Sequence, residues 1–571
     1  MKKRFYLFCP FLIGGAAMAL LTGTAGEELP VIPSSAAISC APGADGEFVT
    51  SNGKFIPVMP GWGNHSYAIT TGSDSAQFYF NQGLTFYYSY HAREAVASFK
   101  EAARFDSSCA MAYWGQALAL GPTYNFGYAY KMNGSIPAIL QAMNRHAAET
   151  SAKERALIAA MNLRYDSNDP SDGQRSVLNA RYAEALKPLV HTYADDIDIK
   201  ALYTDAVMLL HAWDFWYNDG RPKAWTPELV QYCEDILQKD PRHPAALHYY
   251  IHVTEASRQP EVALPGADSL LRLFPGVAHM VHMSSHEYER IGYYAKGVDA
   301  NEKADRSLVV YDSLAKGLLP QVHVPHYFAV DAYCALSGAM QEKALAKSLV
   351  LRNSVQPTGE AMYLQYQYMF PQLAMVRLGK WNDILQDATR IEPGWRYAQI
   401  LHHFARGMAL ARTGSHSQAE AALGQLREAM KDEALRKKFV PHTSSPAECA
   451  TVAENILQAT LFFERREPAQ AISAIKKAIR AEDSLIYSEP KIWMLPARQY
   501  LGAFLLQLGR PKEAENVYRE DLVWNPGNGW SLLGLYQALQ AQGKKSELAG
   551  LKKKYTASFS EAEVIPSRSA Y

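Results

Sequence analysis

From about residue 75 onward, apolar positions recur three and four residues apart, the period of amphipathic helices, and runs of strand-like alternation are few. The pattern also repeats at longer range. Gly509 in LGRPKEAENVYRE is followed 34 residues on by Gly543 in QGKKSELAG, and Trp530, Leu533 and Gly534 fit the helix between them. GKWNDIL at 379 and GSHSQAEAAL at 414 are 35 apart, and Ala263 aligns with Gly297 at 34. An earlier unit runs from Phe80 to Leu120. Small residues such as Ala95, Ala102 and Ala117 allow paired helices to approach, and aromatics fill the gaps. The expectation is an all-α solenoid of helical hairpins wound into a curved superhelix with a concave face. Loops such as YDSNDPSDGQ and YNDGRPKAW break the period between 125 and 240.

These units have the Gly, Ala, Tyr and Pro placement of tetratricopeptide repeats. The segments YFNQGLTFYYSYHAREAVASFKEAA, CAMAYWGQALALGP, HPAALHYYIHVTEAS and HMVHMSSHEYERIGYY resemble a group of large exported bacterial tetratricopeptide-repeat proteins over roughly residues 65 to 340. The resemblance implies a scaffold that binds peptides or proteins and implies no activity. SSHE at 284 to 287 departs from it, standing where relatives would have a proline and an apolar residue.

The ends of the chain read differently. Residues 1–25 have a basic start, an apolar run and small residues at Gly23 and Ala25, the layout of a secretory signal peptide. Residues 26–74, rich in Gly, Pro, Ser and Thr, form an extended lead-in; 75–340 are expected to be a helical domain with a histidine-rich site, and 341–571 a C-terminal repeat array. The expected location is periplasmic or secreted, with no membrane attachment after cleavage. Lys plus Arg equals Asp plus Glu at 57 each, which argues against nucleic acid and anionic membranes as partners. After the signal, Cys40, Cys109, Cys233, Cys334 and Cys449 are widely spaced and odd in number, so buried free thiols are expected over a disulfide framework.

The candidate chemistry is in imidazoles. His248, His252 and Glu255 stand at i, i+4 and i+7, His279, His282 and His286 at i, i+3 and i+7, and His323 and His326 follow. On a helix each of the first two triplets spans an arc of about 60°. Seven of the 17 histidines fall within 79 residues, where an even spread gives between two and three. On neighbouring repeat helices about 10 Å apart they could close around one metal ion, with Glu255 as ligand or outer acceptor. Histidine ligands with few thiols suit Zn, Cu, Fe or Ni and not Ca or Mg. The competing reading is a hydrogen-bonded polar core with tyrosine neighbours. HEYER begins like HExxH but ends in Arg290, which excludes a simple zincin. Trp213, Asp214 and Trp216 in HAWDFWYNDGRPKAW could form the mouth of a ligand pocket, or a surface turn after repeat packing. Arg290 could bind an anionic group, an ion pair with Glu255 or Glu287 being the more ordinary outcome. His65 and His442 lie in loops and carry little weight. Two functions stay open: a scaffold that holds a peptide or protein on its concave face and binds a metal, or a metalloenzyme acting on a small molecule at the histidine cluster. No residue identifies a substrate or a dedicated base.

Overall fold

In the computed structural model the described residues are 53–125, 130–166, 171–315 and 325–571. The signal sequence, Cys40 and His323 lie outside them. Among the described residues there are 24 α-helices and no strands, only an isolated bridge between Trp216 and Pro222. Successive helices pack as antiparallel hairpins in the tetratricopeptide manner, so the helical-solenoid expectation holds.

Aromatic wedges between glycines set the spacing of these hairpins. Phe99, on helix Ala92–Phe105, inserts between Gly83 of the preceding helix Asp74–Tyr88 and Gly115 of the following helix Ala110–Ala119; a Cβ on either glycine would overlap its ring. Tyr518 does the same between Gly502 and Gly534, with the same steps of 16 residues along the chain. Two distant units therefore use one packing device, which accounts for the glycine–aromatic periodicity. Helix starts are set locally: Ser151 with Glu154 and Ser445 with Glu448 form capping boxes, and Pro244 opens the helix Pro244–Thr254.

The buried apolar residues divide into two large clusters, one drawn from positions 56 to 315 and the other from 294 to 570. They meet at helices Ala278–Arg290 and Tyr294–Ala315, where the C-terminal repeats fold back on the N-terminal half. Gly292 (φ +82°) and Gly527 (φ +73°) touch backbone to backbone there, and a Cβ on either would overlap the other strand of chain. Gly292, which reads in sequence as an ordinary repeat glycine, thus admits the 524–528 turn to the end of the histidine helix. Cys109, Cys233, Cys334 and Cys449 are free and buried.

The wedge makes a prediction. Gly115→Ala and Gly534→Ala should each destabilise the fold by about 1–3 kcal/mol through overpacking. Gly424→Ala, on a helix with nothing within 4 Å of the added methyl, should stabilise it by about 0.4–1 kcal/mol. Denaturant unfolding of the three variants checks the signs.

Candidate metal centre

Helix Pro244–Thr254 carries His248 and His252, and helix Ala278–Arg290 carries His279, His282 and His286. Helix Pro325–Ser337 adds His326. These six imidazoles are at most 1% exposed. They do not surround one point, as expected from their spacing, but divide into two sets of three: His248, His252 and His279, and His282, His286 and His326. Within the first set ring centroids are 4.8 to 6.4 Å apart, and within the second 4.6 to 5.5 Å. His279 and His282, one helical turn apart at 6.2 Å, join the two sets.

The outer hydrogen bonds decide which nitrogen of each ring carries its proton. His282 Nδ1 is 2.6 Å from Asn301 Oδ1, and Asn301 is fixed as an acceptor there because its amide donates to the Gly297 carbonyl. His286 Nδ1 is 2.8 Å from a Glu489 carboxylate oxygen. Both rings therefore hold Nδ1–H, and their Nε2 atoms face each other at 2.9 Å. Two nitrogen lone pairs at that distance repel unless a cation, a proton or a metal ion, stands between them. His248 Nδ1 donates to the Tyr88 carbonyl at 2.7 Å, which turns its Nε2 to His279 Nε2 at 3.0 Å. His252 Nδ1 donates to Glu255 at 3.0 Å and leaves its own buried Nε2 without a hydrogen-bond partner. Donor atoms bound at about 2.0–2.1 Å to one ion stand about 2.9–3.4 Å apart, so these separations suit a coordination shell.

Charge supports the same arrangement. Burial and neighbouring imidazoles push His248, His279 and His282 well below the usual histidine range, and burial lowers His252 to about 4 and His326 to about 3. Neutral rings are the form that binds metals. Glu489 is held well below the usual carboxylate range, against its burial, by the imidazoles of His286, His252 and His326. Burial and the Glu489 carboxylate push Glu255 up, and a side-chain hydrogen bond joins the two acids. Glu489 thus reaches one set directly at His286 and the other through Glu255 and His252, the outer-shell role that orients ligating histidines. Trp213 Nε1 donates to its other oxygen at 3.1 Å.

Trp213 also forms a wall of a cavity of about 680 Å³ outside the histidines. The indole stacks between Tyr124 at 4.3 Å and His442 at 4.1 Å, on a left-handed backbone (φ +57°). Tyr90, against His248 at 4.6 Å, is left-handed too (φ +55°); such conformations cost about 1–3 kcal/mol and recur at functional sites. Asp214, Trp216 and Arg290 line the same cavity. Asp214 pairs with Lys223 at 2.9 Å, and Trp216 ties the loop to the Val253 carbonyl at 2.7 Å. Trp225 instead stacks on His211 at 3.5 Å. Arg290 makes no ion pair with Glu255 or Glu287; it donates to the carbonyls of Glu255 and Ser257 at 2.7 and 3.2 Å.

Sequence reasoning passed over Glu489, Asn301 and Tyr88, which are no part of any histidine pattern, and gave His442 and His65 too little weight. His442 lines the cavity. His65 joins Asp198 at 2.9 Å, with Tyr88 Oη donating to the same oxygen at 2.9 Å and His243 Nε2 at 3.4 Å. His243 Nδ1 accepts the Ala246 N–H at the helix start, so its Nε2 carries a proton. His243 thus has the opposite tautomer to His282, its proton turned toward the Asp198 carboxylate, and the cluster is a polar contact of His65, Tyr88 and His243 with one carboxylate oxygen.

No family model matches the sequence, and no curated protein does. Solved structures of helical-repeat proteins are similar at low identity. A human IFIT1 dimer with m7Gppp-AAAA is 13% identical over 75% of this chain and 86% of its own, with a TM-score of 0.32. Yeast Tom70 is 11% identical over 85% and 93%, at 0.27. The P58(IPK) TPR domain is 11% identical over 83% and 99%, at 0.20.

Replacing Glu489 by Leu would leave the buried donors of Trp213 and His286 without an acceptor. The variant should lose about 3–5 kcal/mol of stability, read from denaturant unfolding of metal-free protein, whereas Glu489→Gln should lose less.

Proposed function

We propose that this chain is an exported helical-repeat scaffold holding a buried pair of transition-metal ions, one in each three-histidine set. The observation that carries the reading is the 2.9 Å approach of the His282 and His286 Nε2 atoms, both rings having their Nδ1 protons engaged elsewhere. A metal ion is the cation that turns this repulsion into binding. All-imidazole sets keep the choice among Zn, Cu, Fe and Ni. Export rests on residues 1–25, whose basic and apolar segments read as a signal peptide.

A second reading, a metalloenzyme, is favoured by one further observation. Three protein ligands leave an ion an open position, as catalytic sites do and closed structural sites do not. The carboxylate behind His286 also reaches the cavity wall through Trp213. The partner favoured at this cavity is a small molecule, because its volume is that of a ligand pocket. The contacts of Asn218 with the carbonyls of Asp483 and Leu485 close the neighbouring repeats over it, where a bound peptide would need an open furrow.

Elemental analysis of untagged protein should find about two equivalents of transition metal, and less than a tenth of an equivalent overturns the reading. His282→Ala should remove at least one equivalent with helicity by circular dichroism unchanged. Asn301→Leu, which frees the His282 ring, should weaken metal binding about 10–100-fold in a chelator competition.

A further inference from the structure

The cavity beside the histidines has a chemistry of its own. Its walls are aromatic, with Trp213, Trp216, Trp493 and Trp524 among them. It is also charged, and its charges are in part already engaged by ion pairs or neutral hydrogen-bond donors. Lys223 pairs with Asp214, and Arg498 pairs with Asp483 and Glu520. Asp521 accepts the hydroxyl of Ser531 and the amide of Asn525. Glu482 accepts the Ala497 N–H, and its burial pushes it up to about 7.

Three cations lack such a pair: Arg258, Arg290 and Lys491, whose ammonium donates to Asn525 Oδ1. Among the described residues neither Arg258 nor Arg290 has a carboxylate within ion-pair distance. Arg258 donates to the Asn218 carbonyl and lies 3.7 Å over the Trp524 ring. Arg290, 4% exposed, reaches the carbonyls of Glu255, Ser257 and, at 3.5 Å, Trp524. A guanidinium has five N–H donors, so both keep donors for a ligand. Two guanidiniums hydrogen-bonded to carbonyls rather than carboxylates, beside aromatic rings, form a site for an anion attached to a flat ring. An organic cation would stack on the indoles but meet both guanidiniums, and an aliphatic acid would leave the aromatic walls unused.

We infer that this cavity binds a small aromatic carboxylate, its ring held by the indoles and its carboxylate facing Arg258 and Arg290. Trp213, which touches both the cavity and Glu489, then carries the occupancy of the cavity to the metal centre. Only this second step rests on the metal reading proposed above.

Calorimetry on the purified full-length protein, with indole-3-acetate, indole-3-acetamide and acetate as probes, tests the first step in metal-free and metal-loaded samples. Saturable binding of indole-3-acetate is expected, about tenfold tighter than the amide, with no binding of acetate. Arg258→Gln should weaken indole-3-acetate about tenfold and leave metal content unchanged. Equal affinity for acid and amide, no binding of either, or an unaltered affinity in Arg258→Gln overturns the inference. For the second step, Co(II)-loaded protein should change its visible absorption when indole-3-acetate binds, and Trp213→Phe should bind the probe while losing that change. Binding with no spectral response overturns the link and leaves the ligand assignment standing. Failure to load Co(II), with binding of the acid intact, counts against the metal reading alone.

Discussion

The Glu489 carboxylate is the interaction on which the rest of the centre depends. One oxygen accepts from the Trp213 indole, the other lies against the His286 ring, and Glu255 shares a hydrogen bond with it. A buried carboxylate is costly to desolvate and is retained only when donors and positive charge surround it. Here the donors come from the Trp213 loop, from the histidine helix and from Glu255 at the end of helix Pro244–Thr254, so one residue of the C-terminal half fixes three elements of the N-terminal half. The closure of the solenoid and the orientation of the imidazoles are consequently one structural event.

The scaffold contributes rigidity. The histidine helix is held at its end by the close backbone contact of Gly292 with Gly527, which keeps the His282 and His286 Nε2 atoms at 2.9 Å. The same principle separates the two polar clusters. Around Asp198 the His65 ring and the Tyr88 hydroxyl share one carboxylate oxygen, with His243 turning its proton toward it, and no ion is called for. Around His282 and His286 the Nδ1 protons point outward, and the facing Nε2 atoms need a cation, a proton or a metal ion, between them. Proximity alone groups both clusters; proton positions distinguish them.

Much of the site was legible in sequence because helical periodicity converts spacing into direction. His248 with His252, and His279 with His282 and His286, are each on one helix, and their shared faces follow from 3.6 residues per turn. The division into two sets was not legible, since it depends on the angle between helices and on where His326 enters. Glu489 was out of reach for a different reason. It is 203 residues beyond His286, in a segment without periodic character, and nothing local marks a carboxylate as the partner of a distant imidazole. Asn301 and the Tyr88 carbonyl are equally silent, being an ordinary helical amide and a backbone atom. The Trp213 loop announced itself by composition alone, which could not distinguish a packed turn from a cavity wall.

By itself, then, the sequence determined the helices, their hairpin pairing and the faces on which imidazoles cluster, because these follow from short-range periodicity and from the glycine and aromatic residues that space the repeats. Only the tertiary structure decided that there are two histidine sets, that Arg290 faces a cavity without a carboxylate partner, and that a C-terminal carboxylate orients the whole. Those outcomes depend on how the superhelix closes on itself. Closure is the sum of many small packing angles, which no short stretch of the chain encodes.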